Sequence, residues 1–385
     1  MISYAKLSAI VAAIFISGCA STPNRDAGKN DFSVIAYYRG DASEVDKYPV
    51  AKLTHIIFSF LHLQGNRLAV DDADDDSTIR HLVSLKEKYP HLKVMLALGG
   101  WGGCKTCSEV FSNQQDRSAF AESAKGLLAQ YHADGLDLDW EYPAIEGPPG
   151  HAYSPEDRQN FTFLIQELRK TFGEQYELSF AAGGFAEFLE NSVEWASVMP
   201  LVDRVNLMTY DLVNGYSKVT GHHTPLGSSA LQKESVRAAV QFLDSLKIPL
   251  RKIVIGAAFY ARVWENVDDK NNGIYQPGTF KDFVNYKNFE TYFAAEAGFQ
   301  EHFDPAAEAY YRYSPKTKRF ATFDHPEAVK SKTIYAMKKG LGGIMFWQLG
   351  GDKYENGLLD AIDNAVQTEK KARQPKAPKP ALRQQ

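Results

Sequence analysis

Residues 134–143 read Asp134-Gly135-Leu136-Asp137-Leu138-Asp139-Trp140-Glu141-Tyr142-Pro143. Leu136, Leu138 and Trp140 alternate with Asp137, Asp139 and Glu141. That period predicts a strand with three carboxylates on one face and three apolar side chains on the other. Pro143 has no N–H to give to a ladder, so the strand is expected to stop there, with Glu141 the last acid in the row. Carboxylates this close cannot all ionise in a dry place: each raises the pKa of the next, and burial raises them further. A solvent-facing edge strand could carry such charges at little cost, but Leu, Trp and Tyr crowd the same stretch. An inward-facing row that shares a proton points to general acid/base chemistry. Asp134 falls off that face by parity, and a turn or strand-start role is expected of it.

Working outward, the same rhythm repeats. Residues 32–38, 53–61 and 93–101 upstream read as apolar strands, and 178–182, 202–212, 253–260 and 341–349 downstream do the same. Helical spacing appears at 117–132, at 235–246, at 326–339 before Gly340, and at 358–366. A further helix is expected after Ser154 as its cap, with Pro155 in the first turn and Gly173 ending it. Strands that look buried on both faces and alternate with helices form a parallel sheet, and eight such units predict an α/β fold of the (β/α)8 TIM-barrel type. The barrel is placed at 32–366. Between 263 and 323 the rhythm breaks and Asn, Asp, Gly, Tyr and Phe recur, which predicts a small α+β insertion between strands 7 and 8. Chemistry in such a barrel sits at the C-terminal strand ends. Those ends hold Tyr37, Phe60, Trp101, Glu141, Met208, Tyr210, Asp211, Tyr260, Arg262 and Trp347: an acid cluster ringed by aromatics that suits a sugar cleft.

The 385-residue chain carries a formal charge of −4, so nothing calls for nucleic acid as a partner. Lys6 precedes an apolar run at 7–16, then Ser17, Gly18 and Cys19. The run is too short to span a bilayer, so residues 1–18 read as a signal peptide and 19–31 as a polar linker. The Lys-, Ala- and Pro-rich tail at 367–385 is expected to be disordered. Cys104 and Cys107 form one C-x-x-C, and in an exported protein a local disulfide is expected of them rather than zinc. The acids at 71–76 have a calcium-like spacing, but Ser77 and Val83 occupy the places of the turn Gly and the bidentate Glu. A solvated loop is expected there. His222 and His223 are adjacent and would face opposite ways on a strand, so no metal and no cofactor is expected.

The stretch 134–143 resembles the D-x-x-D-x-D-x-E signature of the family 18 glycoside hydrolases, the chitinases and their relatives. The resemblance covers about residues 32–366. Val34-Ile35-Ala36-Tyr37-Tyr38 is similar to the family's first strand, and Leu98-Gly99-Gly100-Trp101 to its third. Met208-Thr209-Tyr210-Asp211 resembles the sixth, 256–262 the seventh and 342–349 the eighth. It implies retaining hydrolysis without a protein nucleophile. Glu141 would be general acid and then base, Asp139 would orient the substrate's 2-acetamido group, and Asp137 would share a proton with Asp139. Tyr210 would hydrogen-bond the acetamido group and Trp347 would floor the central subsite. Gly100 and Tyr142 join the strand-end residues named above as substrate-binding positions. The insertion resembles the family's extra domain, which forms one wall of the groove. Ala97 departs from the pattern, standing where a Ser is usual, so proton sharing is expected to differ in detail.

The partner so implied is chitin or its oligosaccharides, taken by a monomer. An endo-β-N-acetylglucosaminidase acting on N-glycan cores is the near alternative. A sugar-binding lectin is the distant one, although such relatives usually lose the final acid, present here as Glu141. The Ile16-Ser17-Gly18-Cys19 ending resembles a bacterial lipoprotein signal, which implies lipidation of Cys19 and an exported, membrane-anchored protein. Ala20 and Ser21 fit outer-membrane sorting by the same resemblance. An ordinary secretory signal with Cys19 incidental is the alternative.

Overall fold

The computed structural model describes residues 32–373. The signal at 1–18, Cys19, the linker at 19–31 and the end of the tail lie outside the described residues. Eight strands carry the architecture: β1 (Ser33–Tyr38), β2 (His55–Gln64), β3 (Lys93–Gly99), β4 (Gly135–Asp139), β5 (Glu177–Gly183), β6 (Arg204–Met208), β7 (Ile253–Ala258) and β8 (Gly343–Trp347). Each pairs in parallel with the next, and β8 pairs back onto β1, so the sheet closes into a (β/α)8 barrel with helices around it.

The alternation seen in the sequence sorts the side chains into two cores. Leu136, Leu138 and Trp140 point outward under the helices, where the Trp140 ring meets Phe111 and Phe161. Ile35, Ile57, Met95, Val254 and Met345 point inward and fill the barrel. Its N-terminal end is closed by an ionic group: Glu177 accepts from Arg204 and Lys93 and lies 3.2 Å from His55 Nε2.

The chain leaves β7 through Phe259, whose ring stacks on Phe346 at 4.1 Å, and enters an antiparallel strand at once (Tyr260–Glu265). That strand is one of five in a second sheet, ordered 279–285, 260–265, 319–323, 309–314, 300–304. This sheet starts three residues before the expected boundary at 263, because Tyr260 already pairs with Asn285. On the way back, buried Asp324 accepts from the Ala258 N–H and from Lys332 Nζ, each at 2.8 Å. Both ends of the excursion are thus tied to β7 and to the following helix (Pro326–Lys339).

Three local expectations are corrected. The acids at 71–76 are not a loop. Asp72 caps a helix (Ala73–Lys88) by accepting from the N–H groups of Asp74 and Asp75, and Asp74, Asp75 and Asp76 occupy its first turn, where the helix dipole favours anions. Ser154 does not cap the next helix, which runs Asp157–Phe172. Instead the Asp157 carboxylate accepts the Ser154 N–H at 2.8 Å and the Ser108 hydroxyl at 2.9 Å. The final helix does not stop at 366 but continues to Arg373, since Gln, Lys, Ala and Arg are good helix formers and Lys370, Lys371 and Arg373 place cations at its C-terminal end. Cys104 and Cys107 are disulfide-bonded in the loop after β3. No helix among the described residues is long and apolar enough to cross a membrane.

Candidate active site

Parity on β4 turns Asp137 and Asp139 into the barrel, and Glu141 follows beyond the strand end. All three are buried, with 0 %, 4 % and 8 % of their surface exposed. Asp134, off that row, accepts the Val94 N–H at 2.7 Å and Lys86 Nζ at 2.9 Å, so it fixes the start of the strand.

The acids have different company. Asp137 is held by donors from three other strands. Tyr37 Oη donates to its Oδ2 at 2.8 Å, and Ser179 Oγ and Asn206 Nδ2 donate to its Oδ1 at 2.5 and 3.0 Å. Asn206 also donates to Tyr37 Oη at 3.1 Å. Asp139 Oδ1, by contrast, is buried without a partner. Burial, then the charges of Glu141 and Asp137, push the Asp139 carboxyl far up. Burial likewise pushes Glu141 up, against a hydrogen bond from Tyr142 and with help from the Asp211 charge, to about 7. Glu141 therefore holds a proton near neutral pH and can also release it, as a group that acts as acid and then base must.

β6 and β7 supply the next layer. The Tyr210 ring packs over Gly256, where a Cβ would lie 2.8 Å from it, so only glycine leaves room. Its hydroxyl points to Met345 Sδ at 3.8 Å. Asp211 has φ 56° and accepts two bonds from Arg262, at 2.8 and 2.6 Å. Burial raises the Asp211 carboxyl, but His223 and Arg262 beside it outweigh this and hold it well below the usual carboxylate range.

Rings line the walls. Trp347 stacks with Phe60 at 5.5 Å and meets Tyr37 at 6.2 Å. Trp101, half exposed, lies between Tyr142 and Tyr216 at 6.3 and 6.1 Å. Tyr260 stacks on Phe283 at 4.5 Å. These residues enclose a cleft of about 1500 Å³ that opens at the C-terminal barrel end, with Tyr260, Arg262, Phe280 and Phe283 of the second sheet among its lining. Met208, Asp139, Glu141, Tyr210 and Asp211 also line it.

Two residues of the expected site lie behind the cleft. Asp137 is deeper in the barrel. Gly100 gives its N–H to the Asp139 carbonyl at 2.9 Å, and a Cβ on it would fall 2.3 Å from the Phe60 ring, so it backs Phe60 and does not face the cleft. Ser179, Asn206, Phe185, Tyr216, Phe280 and Phe283 are site residues that the sequence reading misses. Only Ser179 and Asn206 carried a signal, being polar at inward parity within the apolar runs that follow Glu177 and Arg204. Among the described residues no group of three or more His, Cys, Asp or Glu side chains could hold a metal ion.

A family model described as Glycosyl hydrolases family 18 matches residues 33–352. The chain belongs to that family. Family 18 membership makes it a glycoside hydrolase of the chitinase group, and the relatives agree. Chitinase A1 of Niallia circulans is 34 % identical over 315 residues, which is 75 % of this chain and 45 % of the relative, so the chain spans less than half of that protein. A solved chitinase, ChiA74 of Bacillus thuringiensis, superposes with a TM-score of 0.81 at 26 % identity, over 88 % of this chain and 70 % of that one. A family 18 N-acetylglucosaminidase of Paenibacillus barengoltzii gives 0.79 at 33 % identity, over 87 % of this chain and all of that one.

Proposed function

We propose that this protein is a chitinase that cleaves β-1,4-linked N-acetylglucosamine polymers or oligomers with retention, using the substrate's own acetamido group as nucleophile. The observation that carries the reading is the orphaned Asp139 Oδ1. A buried acceptor without a donor is costly, and this one belongs to a residue lining a sugar-sized cleft. An acetamido N–H is a donor of the right kind to fill it.

Glu141 gives its proton to the glycosidic oxygen while the acetamido carbonyl oxygen attacks the anomeric carbon and the C–O bond to the leaving sugar breaks. The resulting oxazolinium ion carries its positive charge beside Asp139. Water, deprotonated by Glu141, then opens the ring from the face that the leaving group vacated, which gives the β-anomer. Tyr210 hydrogen-bonds the acetamido group, Asp137 shares a proton with Asp139, and Trp347 floors the central sugar. Trp101, Tyr142, Tyr260 and Met208 pack on the flanking sugars, and the Asp211–Arg262 pair shapes the wall.

Incubating wild type and Glu141→Gln with chitin oligosaccharides and reading products by mass and anomer tests this. Short β-anomeric products from wild type, lost in the variant, are expected. If only N-glycoproteins are cut, the substrate assignment falls and the mechanism stands. If sugars bind without being cut, the protein is a lectin.

We further propose that the chain acts as a monomer and is exported and lipidated at Cys19. The support is the short apolar run ending Ser17-Gly18-Cys19. Cys19→Ala is expected to abolish labelling by a radioactive fatty acid and to move the protein from the membrane to the soluble fraction. Retention of both label and membrane association would overturn the anchor.

A further inference from the structure

Three helices (Val236–Ser245, Pro326–Lys339 and Leu358–Arg373) run back from the cleft rim, so their last turns lie at the N-terminal end of the barrel. Those turns meet in one corner. Lys339 Nζ reaches Asp244 Oδ2 at 2.9 Å, Lys338 Nζ lies 3.9 Å from Glu369, and Arg373 donates to the Met337 carbonyl. Ser33, which opens β1, gives its N–H to the Gly342 carbonyl at 2.9 Å, just past the Gly340 that ends the second helix.

The corner is basic in a chain whose formal charge is −4. Lys247, Lys338, Lys339, Lys370, Lys371 and Arg373 are exposed, and the carboxylates paired with them are Asp244 and Glu369. Leu246, 47 % exposed, sets an apolar side chain beside Lys247. Beyond Arg373 the sequence adds Lys376, Lys379 and Arg383 and no acid. Helix C-termini favour cations, which accounts for one or two at each end. The opposite end of the barrel has the opposite sign. Besides Asp139 and Glu141, the cleft there is lined by Asp71, Asp75, Glu146, Glu187, Asp211 and Glu234, opposed by Arg39 and Arg262.

We propose that the basic corner docks on an anionic lipid surface and holds the barrel with its cleft turned away from the membrane. Cations beside an exposed leucine suit a layer of anionic headgroups, which attracts this corner and repels the acidic cleft end. The first strand enters at the same corner. The stretch 20–32, which joins it to Cys19, reaches at most about 50 Å. A lipid on Cys19 therefore keeps this corner near the bilayer. The choice of a bilayer as partner rests on the lipidation reading given above; the polarity of the barrel does not.

The test compares the full chain as wild type, as Lys338→Gln/Lys370→Gln/Lys371→Gln, and with Arg in place of the same three lysines. Each is mixed with vesicles of phosphatidylcholine alone and of phosphatidylcholine with about one-third phosphatidylglycerol. The N-terminal segment is common to all three proteins, so its own affinity for lipid cancels in the comparison. Wild type is expected to prefer the anionic vesicles. The Gln variant should bind them roughly ten-fold more weakly, and the Arg variant as wild type does. The difference should vanish at about 1 M salt. Cleavage of a chitin tetramer in solution should be unchanged in both variants. Acetylation of lysines, read by mass spectrometry, should show Lys338, Lys370 and Lys371 protected on anionic vesicles. Lys105 and Lys218, exposed on the loops after β3 and β6 at the cleft end, should react as they do in solution. A Gln variant that binds anionic vesicles as tightly as wild type overturns the proposal. So does a footprint that protects Lys105 and Lys218 instead. If Cys19 takes up no fatty acid, the anchor falls, and the vesicle comparison, which needs no lipid on the protein, still decides for or against the corner.

Discussion

At the N-terminal end of the barrel, Glu177 sits among Arg204, Lys93 and His55. At the C-terminal end, Asp139 and Glu141 sit among tyrosines and each other. Burial pushes all three carboxyls upward. At Glu177 the His55 hydrogen bond and the cations overturn that push and drive the group far below the usual range. At Asp139 and Glu141 no cation answers, and burial prevails. His55 shows the reverse side of the first arrangement: burial and Arg204 lower it to about 4, so it stays neutral. The counter-charge, more than the burial, separates the two ends. One end spends its carboxylate on holding the barrel shut, and the other keeps its carboxyls protonated and ready to react.

The largest effect expected from breaking this contrast is at Glu141. Glu141→Gln should reduce kcat roughly 10³-fold, the scale of a lost general acid. It should also stabilise the fold at high pH. The folded pKa of Glu141, about 7, lies above its unfolded value, so ionising it costs stability as pH rises from about 4.3 through 7. The variant should match wild type at pH 4 and exceed it by about 1 kcal/mol at pH 8 in denaturant titrations. Equal stability at both pH values would mean that Glu141 is not held protonated.

At the other end Glu177→Gln should leave the pH–rate profile untouched and cost about 2 kcal/mol at neutral pH, with its partial exposure allowed for. The sign is opposite here. Glu177 is depressed in the fold, so its contribution is present above the unfolded pKa and disappears as pH falls through the folded one. The deficit should shrink in acid. A change in the rate profile would show that the two ends communicate.

The smallest effect sharpens the site itself. Asp211 raises Glu141 through space, so Asp211→Asn should let the Glu141 pKa fall and move the alkaline limb of kcat/KM to lower pH. An alkaline limb that stays in place would remove Asp211 from the tuning of the acid.

The sequence exposed those parts of the molecule where chemistry and periodicity coincide. Asp137, Asp139 and Glu141 stand in strict alternation with Leu and Trp, and few arrangements other than an inward row accommodate that. Some strand ends were marked as well, by Gly99-Gly100-Trp101 after the third strand and Tyr260 after the seventh, but the runs ending at Leu61 and Leu212 carried no such stop, and those strands end at Gln64 and Met208. Ser179 and Asn206 were hidden because a single polar residue in a strand looks like tolerance; only the closed barrel brings them to Asp137 from strands that are 42 and 69 residues away in the chain. Tyr216, exposed beside Trp101, and Phe283, stacked on Tyr260, sit where no period guides the eye. The acids at 71–76 looked like a loop because Asp is a poor residue for a helix interior, although it is among the best for a helix start. Gly100 was read as substrate-binding from the likeness of Leu98-Gly99-Gly100-Trp101 to the family's third strand, whereas its missing side chain serves Phe60.

The second sheet has a mechanical consequence. Its first strand begins two residues after β7 ends, and its last is pinned through Asp324 to Ala258 and Lys332. A wall rooted this way at both ends has no slack with which to swing. The cleft is therefore built as a fixed gauge and not as a jaw, its width set by where the second sheet is anchored on the barrel rim.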